Sequence, residues 1–336
     1  MRLRRSTPYG PGMRRVARGR GFSYVSTEGA RVVDEAALER IRGLVIPPAW
    51  RKVWICAHDN GHIQAVGVDA AGRRQYLYHE QWRKERDEEK FDRVLDLAAG
   101  LPELRRRIHA ELTEPGLGLR RVAALAVTLV DQGVFRVGGE EYAQEHGTRG
   151  VATLLRAQVR LSGAEMSFDY PAKGGIQRRV RIRDADSARV VRSLRRCRHD
   201  SPRLLVYRKG SRYCELHADD INDLFREWSE SDCSVKDLRT WHGTVLAAAG
   251  FGAVERPDTQ RRRKTVERTV IADVAAALGN TPAVARASYV DPRVLTAFER
   301  GATISAALRR AARGGSDEQS QNTVERAVIR LLRTTN

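Results

Sequence analysis

The chain has 336 residues, 41% hydrophobic and 30% charged, and a formal net charge of +18. That length predicts about two domains of ordinary globular size, and the positive surplus favours a polyanionic partner, with nucleic acid ahead of a membrane surface. No apolar run of about 18 residues is present to span a bilayer, no GxxxxGKS/T loop offers a nucleoside triphosphate site, and Cys56, Cys197, Cys214 and Cys233 lack the CxxC spacing of a zinc ribbon, so free thiols in a reducing compartment are expected.

Residues 1–21, "MRLRRSTPYGPGMRRVARGRG", are Arg- and Gly-rich and read as a flexible basic arm. They have no apolar core like that of a signal peptide, which places the chain in the cytoplasm, associated with the nucleoid. From 22 to 85 the runs "FSYVS", "KVWICA", "HIQAVGVD" and "RQYLYH" alternate around turns at Gly61 and Gly72, with the helical "DEAALERIRGL" between them, and predict a small β-rich domain of hairpins. His58 and His62 have i,i+4 spacing, but the Asn-Gly between them predicts a turn, and no metal site is expected there. Residues 86–312 read as a mostly helical domain, with helices near 103–113, 119–132, 139–146, 186–197, 218–229, 235–250, 262–279 and 282–300. Within it "QVRLSG", "EMSFDY" and "RRVRIRD" alternate as three strands. Residues 313–336 read as a polar linker, "RGGSDEQSQ", and a short amphipathic helix with Val324, Val328 and Leu331 on one face. The fold class predicted is α+β.

Only seven of the 60 basic residues are Lys. A surface charge tolerates Arg, but a proton donor does not, because guanidinium keeps its proton at any working pH. Phosphodiester transfer to a tyrosine needs fixed cationic donors for the charge that builds on the non-bridging oxygens, and a proton for the leaving alkoxide. Arg136 lies in the Gly-rich break "DQGVFRVGGEEY", Lys173 at the tip of a predicted hairpin in "DYPAKGG", Lys236 and Arg239 in "VKDLRTWHGT", Asn280 in "LGNTP", and Tyr289 in "ARASYVDP". Taken singly, each has an ordinary reading: a surface arginine, a solvated lysine, a helix-junction asparagine, a tyrosine packed at a helix end.

Their order resembles that of the tyrosine-recombinase and type IB topoisomerase superfamily. "KDLRTW", "IPPAWRKVWI", "GRRQYLYH", "RVGGEEYAQEHGTRGVATL" and "LGNTPAVARASYVDP" resemble the short poxvirus-like and bacterial type IB DNA topoisomerases over residues 20–300. The resemblance implies a bilobed clamp on duplex DNA, with a β-rich N-terminal lobe and a helical catalytic lobe. It implies a monomer that relaxes supercoils without ATP, metal or any other cofactor. Tyr289 would be the nucleophile that forms a 3′-phosphotyrosyl bond, Arg136 and Arg239 would hold the scissile phosphate, and Lys173 would be the general acid. Gln75, Tyr76, Tyr78, Tyr142 and Lys236 would contact DNA. Many relatives carry His where this chain has Asn280, which keeps a neutral donor but no imidazolium. A tyrosine recombinase, usually with a helical front domain, and a non-enzymatic architectural DNA binder are the alternative readings.

Overall fold

The computed structural model describes residues 2–335 except Arg20, Val134, Glu140, Glu141, Tyr142, Gln144, Glu145, His146 and Gly315. Tyr142 and most of the helix expected over 139–146 therefore lie outside the described residues. The chain divides into two compact units, Met1–Lys90 and Phe91–Asn336. Among the described residues, no helix is long and apolar enough to cross a membrane.

The first unit is built on a five-stranded antiparallel sheet. Its strands are β1 (Gly12–Arg18), β2 (Gly21–Ser26), β3 (Arg51–Cys56), β4 (Ile63–Val68) and β5 (Arg74–Tyr78), in the order β2-β1-β3-β4-β5, with helix α1 (Glu35–Gly43) between β2 and β3 in the chain. Asp34 caps α1 by accepting from the Ala37 amide at 3.0 Å. Met13, Ile41, Val53, Ile55 and Ala65 form its core. The expectation of a flexible arm over residues 1–21 is corrected here. β1 lies between β2 and β3, pairing Met13 with both Ser26 and Ile55. Arg15 donates to the Ile46 carbonyl at 3.2 Å and the Trp50 carbonyl at 2.7 Å, and its guanidinium lies 4.1 Å from the Phe22 ring centroid. Its charge resembled a tail, but it holds β1 to the carbonyls of the 46–50 segment that leads into β3. His62 is structural as well. Its Nδ1 accepts the Ser6 amide at 2.8 Å, and its ring meets Trp82 edge-on.

The second unit holds one continuous core around α3 (Leu119–Gly133), whose "VAALAV" is fully buried. Helix α2 (Glu80–Thr113) runs into this unit through Pro102 and includes the helix expected near 103–113. The three expected strands pair as β6 (Val159–Ser162), β7 (Glu165–Pro171) and β8 (Gln177–Arg183) in that order. After α4 (Ala185–Arg196) comes a hairpin that the sequence did not suggest, β9 (Val206–Lys209) with β10 (Arg212–Glu215). Helices α5 (Ala218–Ser229), α6 (Val235–Ala253) and α7 (Gln260–Leu278) follow. The helix expected over 282–300 is two: α8 (Pro282–Tyr289) and α9 (Pro292–Glu299). The first ends at Tyr289 with Val290 extended, and Pro292 keeps the residue before it out of the helical region, so Asp291 caps the second helix, accepting the Arg293 amide at 2.9 Å.

Helices α10 (Ser305–Ala311) and α11 (Asp317–Arg333) close the chain. Ser316 caps α11, so half of the expected polar linker is helix. Val328 and Leu332 are buried, with Val324 and Leu331 packed beside them. Arg105 on α2 lies between Asp131 of α3 at 2.7 Å and Glu325 of α11 at 2.7 Å, and His242 of α6 meets Asp131 at 2.9 Å. Burial alone would raise the Asp131 carboxyl, but the His242 hydrogen bond and the Arg105 charge hold it well below the usual carboxylate range.

Candidate active site

The site is organised by the C-terminal end of α7. A helix leaves its last carbonyls without intrahelical partners, and its dipole puts partial negative charge there. Gly279 adopts the left-handed conformation, φ +62°, that a residue with a Cβ rarely takes. The turn returns the Asn280 amide to the Ala275 carbonyl at 2.8 Å and the Gly279 amide to Ala276 at 3.1 Å. The next three carbonyls are met by three arginines from elsewhere in the fold. Arg178 Nη2 of β8 donates to Ala277 at 3.1 Å, Arg239 Nη2 of α6 to Leu278 at 2.8 Å, and Arg136 Nη2 to Gly279 at 2.8 Å. Arg136 also donates to Asn280 Oδ1 at 2.5 Å. Three cations that would otherwise repel one another are thus assembled on one row of backbone oxygens. Each such bond engages one terminal nitrogen of a guanidinium that carries five N–H donors in all.

Asn280 presents its other group differently. Its Nδ2 is buried and has no hydrogen-bond partner among the described residues. A buried donor left unmet costs about 1–3 kcal/mol, and such a group is accounted for when an acceptor occupies the site.

Tyr289 is the last residue of α8 and is 8% exposed. The Arg239 guanidinium lies 5.4 Å from its ring centroid, within cation–π range. Arg239 is 2% exposed. Burial, then the nearby Arg136 charge, lowers its guanidinium to about 10, which leaves it protonated at neutral pH. Arg136 is lowered for the same first reason, burial.

Two residues of α6 that were not singled out fix the tyrosine's backbone. A Cβ on Gly243 would lie 2.5 Å from the Tyr289 carbonyl oxygen, so only glycine lets the two segments touch. Thr244 Oγ1 donates to that carbonyl at 3.4 Å and accepts the Asp291 amide at 3.1 Å. A glycine inside an apolar helical run was the available signal, since it costs helix stability unless packing requires it.

Lys173 is exposed in the turn between β7 and β8, closed by the Ala172 amide on the Ile176 carbonyl at 2.8 Å. The strand before it is packed against the Arg136 segment. The ring of Tyr170, buried, stacks on Phe135 at 5.5 Å, and Phe168 meets Phe135 edge-on at 5.0 Å. Lys236 is exposed in the first turn of α6. In the first unit, Tyr76 and Tyr78 are 39% and 38% exposed and stack at 6.0 Å on one face of β5. Gln75 points to the other face, where its amide donates to Asp69 at 2.9 Å.

Comparison with known proteins gives this arrangement its family. Residues 79–311 match the family described as the catalytic core of eukaryotic DNA topoisomerase I. The chain belongs to the type IB DNA topoisomerase family. As a type IB topoisomerase it also matches, over residues 21–69, the bacterial DNA topoisomerase IB N-terminal domain. It is 28% identical to the DNA topoisomerase 1B of Acanthamoeba polyphaga mimivirus over 287 residues, which cover 83% of this chain and 85% of that protein. Helix α11 lies beyond the matched core, although its Glu325 is part of the ion cluster in this unit.

Proposed function

We propose that this enzyme relaxes supercoiled DNA by breaking and resealing one strand through Tyr289. The phenolic oxygen attacks a backbone phosphorus, the Tyr289 Oη–P bond forms, and the bond from phosphorus to the 5′-oxygen breaks. The phenol proton passes to water, and Lys173 gives its proton to the departing 5′-oxygen. Arg136, Arg239 and the Asn280 amide donate to the non-bridging oxygens, where negative charge grows in the transition state. The free 5′-end rotates, and religation is the same sequence in reverse. The 3′-phosphotyrosyl bond conserves the energy of the diester, so the scheme needs no nucleotide. The cationic work is given to guanidinium groups, and no step calls for a divalent metal.

The observation that carries this reading is the meeting of Arg136, Arg239, Asn280 and Tyr289 around the end of α7. Duplex DNA is the substrate, bound by a monomer in the nucleoid. Tyr76, Tyr78 and Gln75 of the first unit and Lys236 of the second add contacts to it. Incubating supercoiled plasmid with the protein in EDTA without ATP tests the proposal. Relaxation of both signs of supercoil is expected. Activity that appears only with magnesium or nucleotide sinks the metal-free scheme, and strand exchange between two plasmids would favour a recombinase.

A further inference from the structure

We propose that Arg178 is a positioning residue that latches the hairpin carrying Lys173 to the phosphate-binding end of α7. The inference rests on Lys173 being the general acid. Arg178 is on β8, five residues after Lys173 and opposite Tyr170 in the β7–β8 register. Strand alternation puts it on the face shared by Val180 and Ile182, whereas Gln177, Arg179, Arg181 and Arg183 are exposed on the other. An arginine on the inward face of a strand needs an acceptor, and Arg178 finds the Ala277 carbonyl at 3.1 Å.

The fit to Gly279 is close. A Cβ on that residue would lie 2.7 Å from Arg178 Nη1 and 3.5 Å from its Cδ, so the side chain lies against bare backbone. The two neighbouring carbonyls hold Arg239 and Arg136. One helix end therefore fixes both phosphate-binding guanidinium groups and the strand that leads back to the acid. The other strand of the hairpin is held separately, by the Arg149 amide on the Pro171 carbonyl at 2.7 Å and by Tyr170 on Phe135. Without Arg178, β7 stays packed while the β8 side of the turn loses its link to the helix end. Lys173 then delivers its proton from a wider range of positions, and misplacement of about 1 Å can cost on the order of 100-fold.

Single-turnover cleavage at saturating enzyme tests this, with ordinary DNA and with DNA whose leaving 5′-oxygen is replaced by sulfur. Sulfur leaves without needing a proton, so it repairs only a defect in general acid delivery. Arg178→Ala should cleave ordinary DNA about 10- to 100-fold slower than the parent, and cleave the sulfur substrate within a few-fold of it. Lys173→Arg in parallel should show a larger loss and the same recovery. If Lys173→Arg recovers and Arg178→Ala stays slow on sulfur, Arg178 acts on the phosphate itself and the latch is wrong, while the acid role stands. Unimpaired cleavage of ordinary DNA by Arg178→Ala also overturns the latch. No recovery of Lys173→Arg removes the acid role and this inference with it. Arg178→Gln, a smaller perturbation to folding, is read by the same oxygen-to-sulfur ratio if Arg178→Ala proves unstable.

Discussion

Arg239 is 2% exposed, with one nitrogen on the Leu278 carbonyl at 2.8 Å, whereas Lys173 stands exposed in a turn followed by two glycines. The two regions treat positive charge in opposite ways, for a reason set by the side chains themselves. Burial that brings Arg239 down to about 10 still leaves it charged at neutral pH. An ammonium group starts near about 10.4, and comparable burial would bring it towards discharge. A guanidinium can thus be fixed in a dry site as a permanent donor. On the proposed reading the buried arginines supply fixed charge and the exposed Lys173 supplies the proton, so charge stabilisation and proton delivery would be divided between the two regions.

The largest expected effect is at the proposed nucleophile, beside the buried arginines. Tyr289→Phe removes only the attacking oxygen, so strand cleavage and the covalent protein–DNA adduct should both vanish on denaturing gels. DNA affinity should stay near the parent value. Residual relaxation by this variant would mean another nucleophile.

Next come the fixed cations. Arg239→Ala and Arg136→Ala should each slow single-turnover cleavage by roughly 100- to 1,000-fold, about 3–4 kcal/mol, as loss of a donor that acts mainly in the transition state predicts. Neither should recover on the sulfur substrate as Lys173→Arg is expected to. Equal recovery of all three would erase the distinction between the buried cations and the hairpin. A loss confined to binding affinity would make either arginine an ordinary phosphate contact.

Gly243→Ala probes the rigidity of the buried region without touching a charge. Its new Cβ, 2.5 Å from the Tyr289 carbonyl oxygen, must push α6 and the tyrosine apart. Cleavage should drop about 10- to 100-fold while affinity holds, and a parent-like rate would show that the attacking oxygen tolerates this shift. The smallest effect is expected for Asn280→Ala. It removes one neutral donor and an acceptor of Arg136, and about 1–2 kcal/mol in the cleavage barrier, roughly 5- to 30-fold, should follow. Asn280→His should restore part of that rate, because imidazole can also donate.

Much of the second unit was legible because its elements carry local signals. "RRVRIRD" alternates with period two, and "LGNTP" contains the glycine and the proline that end one helix and begin the next. The same alternation sets Arg178 beside Val180 and Ile182, a signal that was present but lost among so many arginines. Residues 1–21 misled for the opposite reason. Their composition is that of a tail, while Arg15 has its acceptors at residues 46–50, well outside any local pattern. The break between α8 and α9 was written in "VDP", where a helix cannot continue into Pro292 unperturbed.

The sequence by itself determined which residue types were available and several of the element ends: a tyrosine near a helix end, a lysine between strands, a glycine after α7. These follow from backbone sterics and side-chain periodicity, which act over a few residues. Only the tertiary structure decided that Arg136, Arg178 and Arg239 share one helix end, because the carbonyls they meet are 143, 99 and 39 residues away along the chain. Unpaired carbonyls at a helix terminus are satisfied by whatever donor the fold brings to them, and that depends on how α3, α6, α7 and the hairpin pack around a common core.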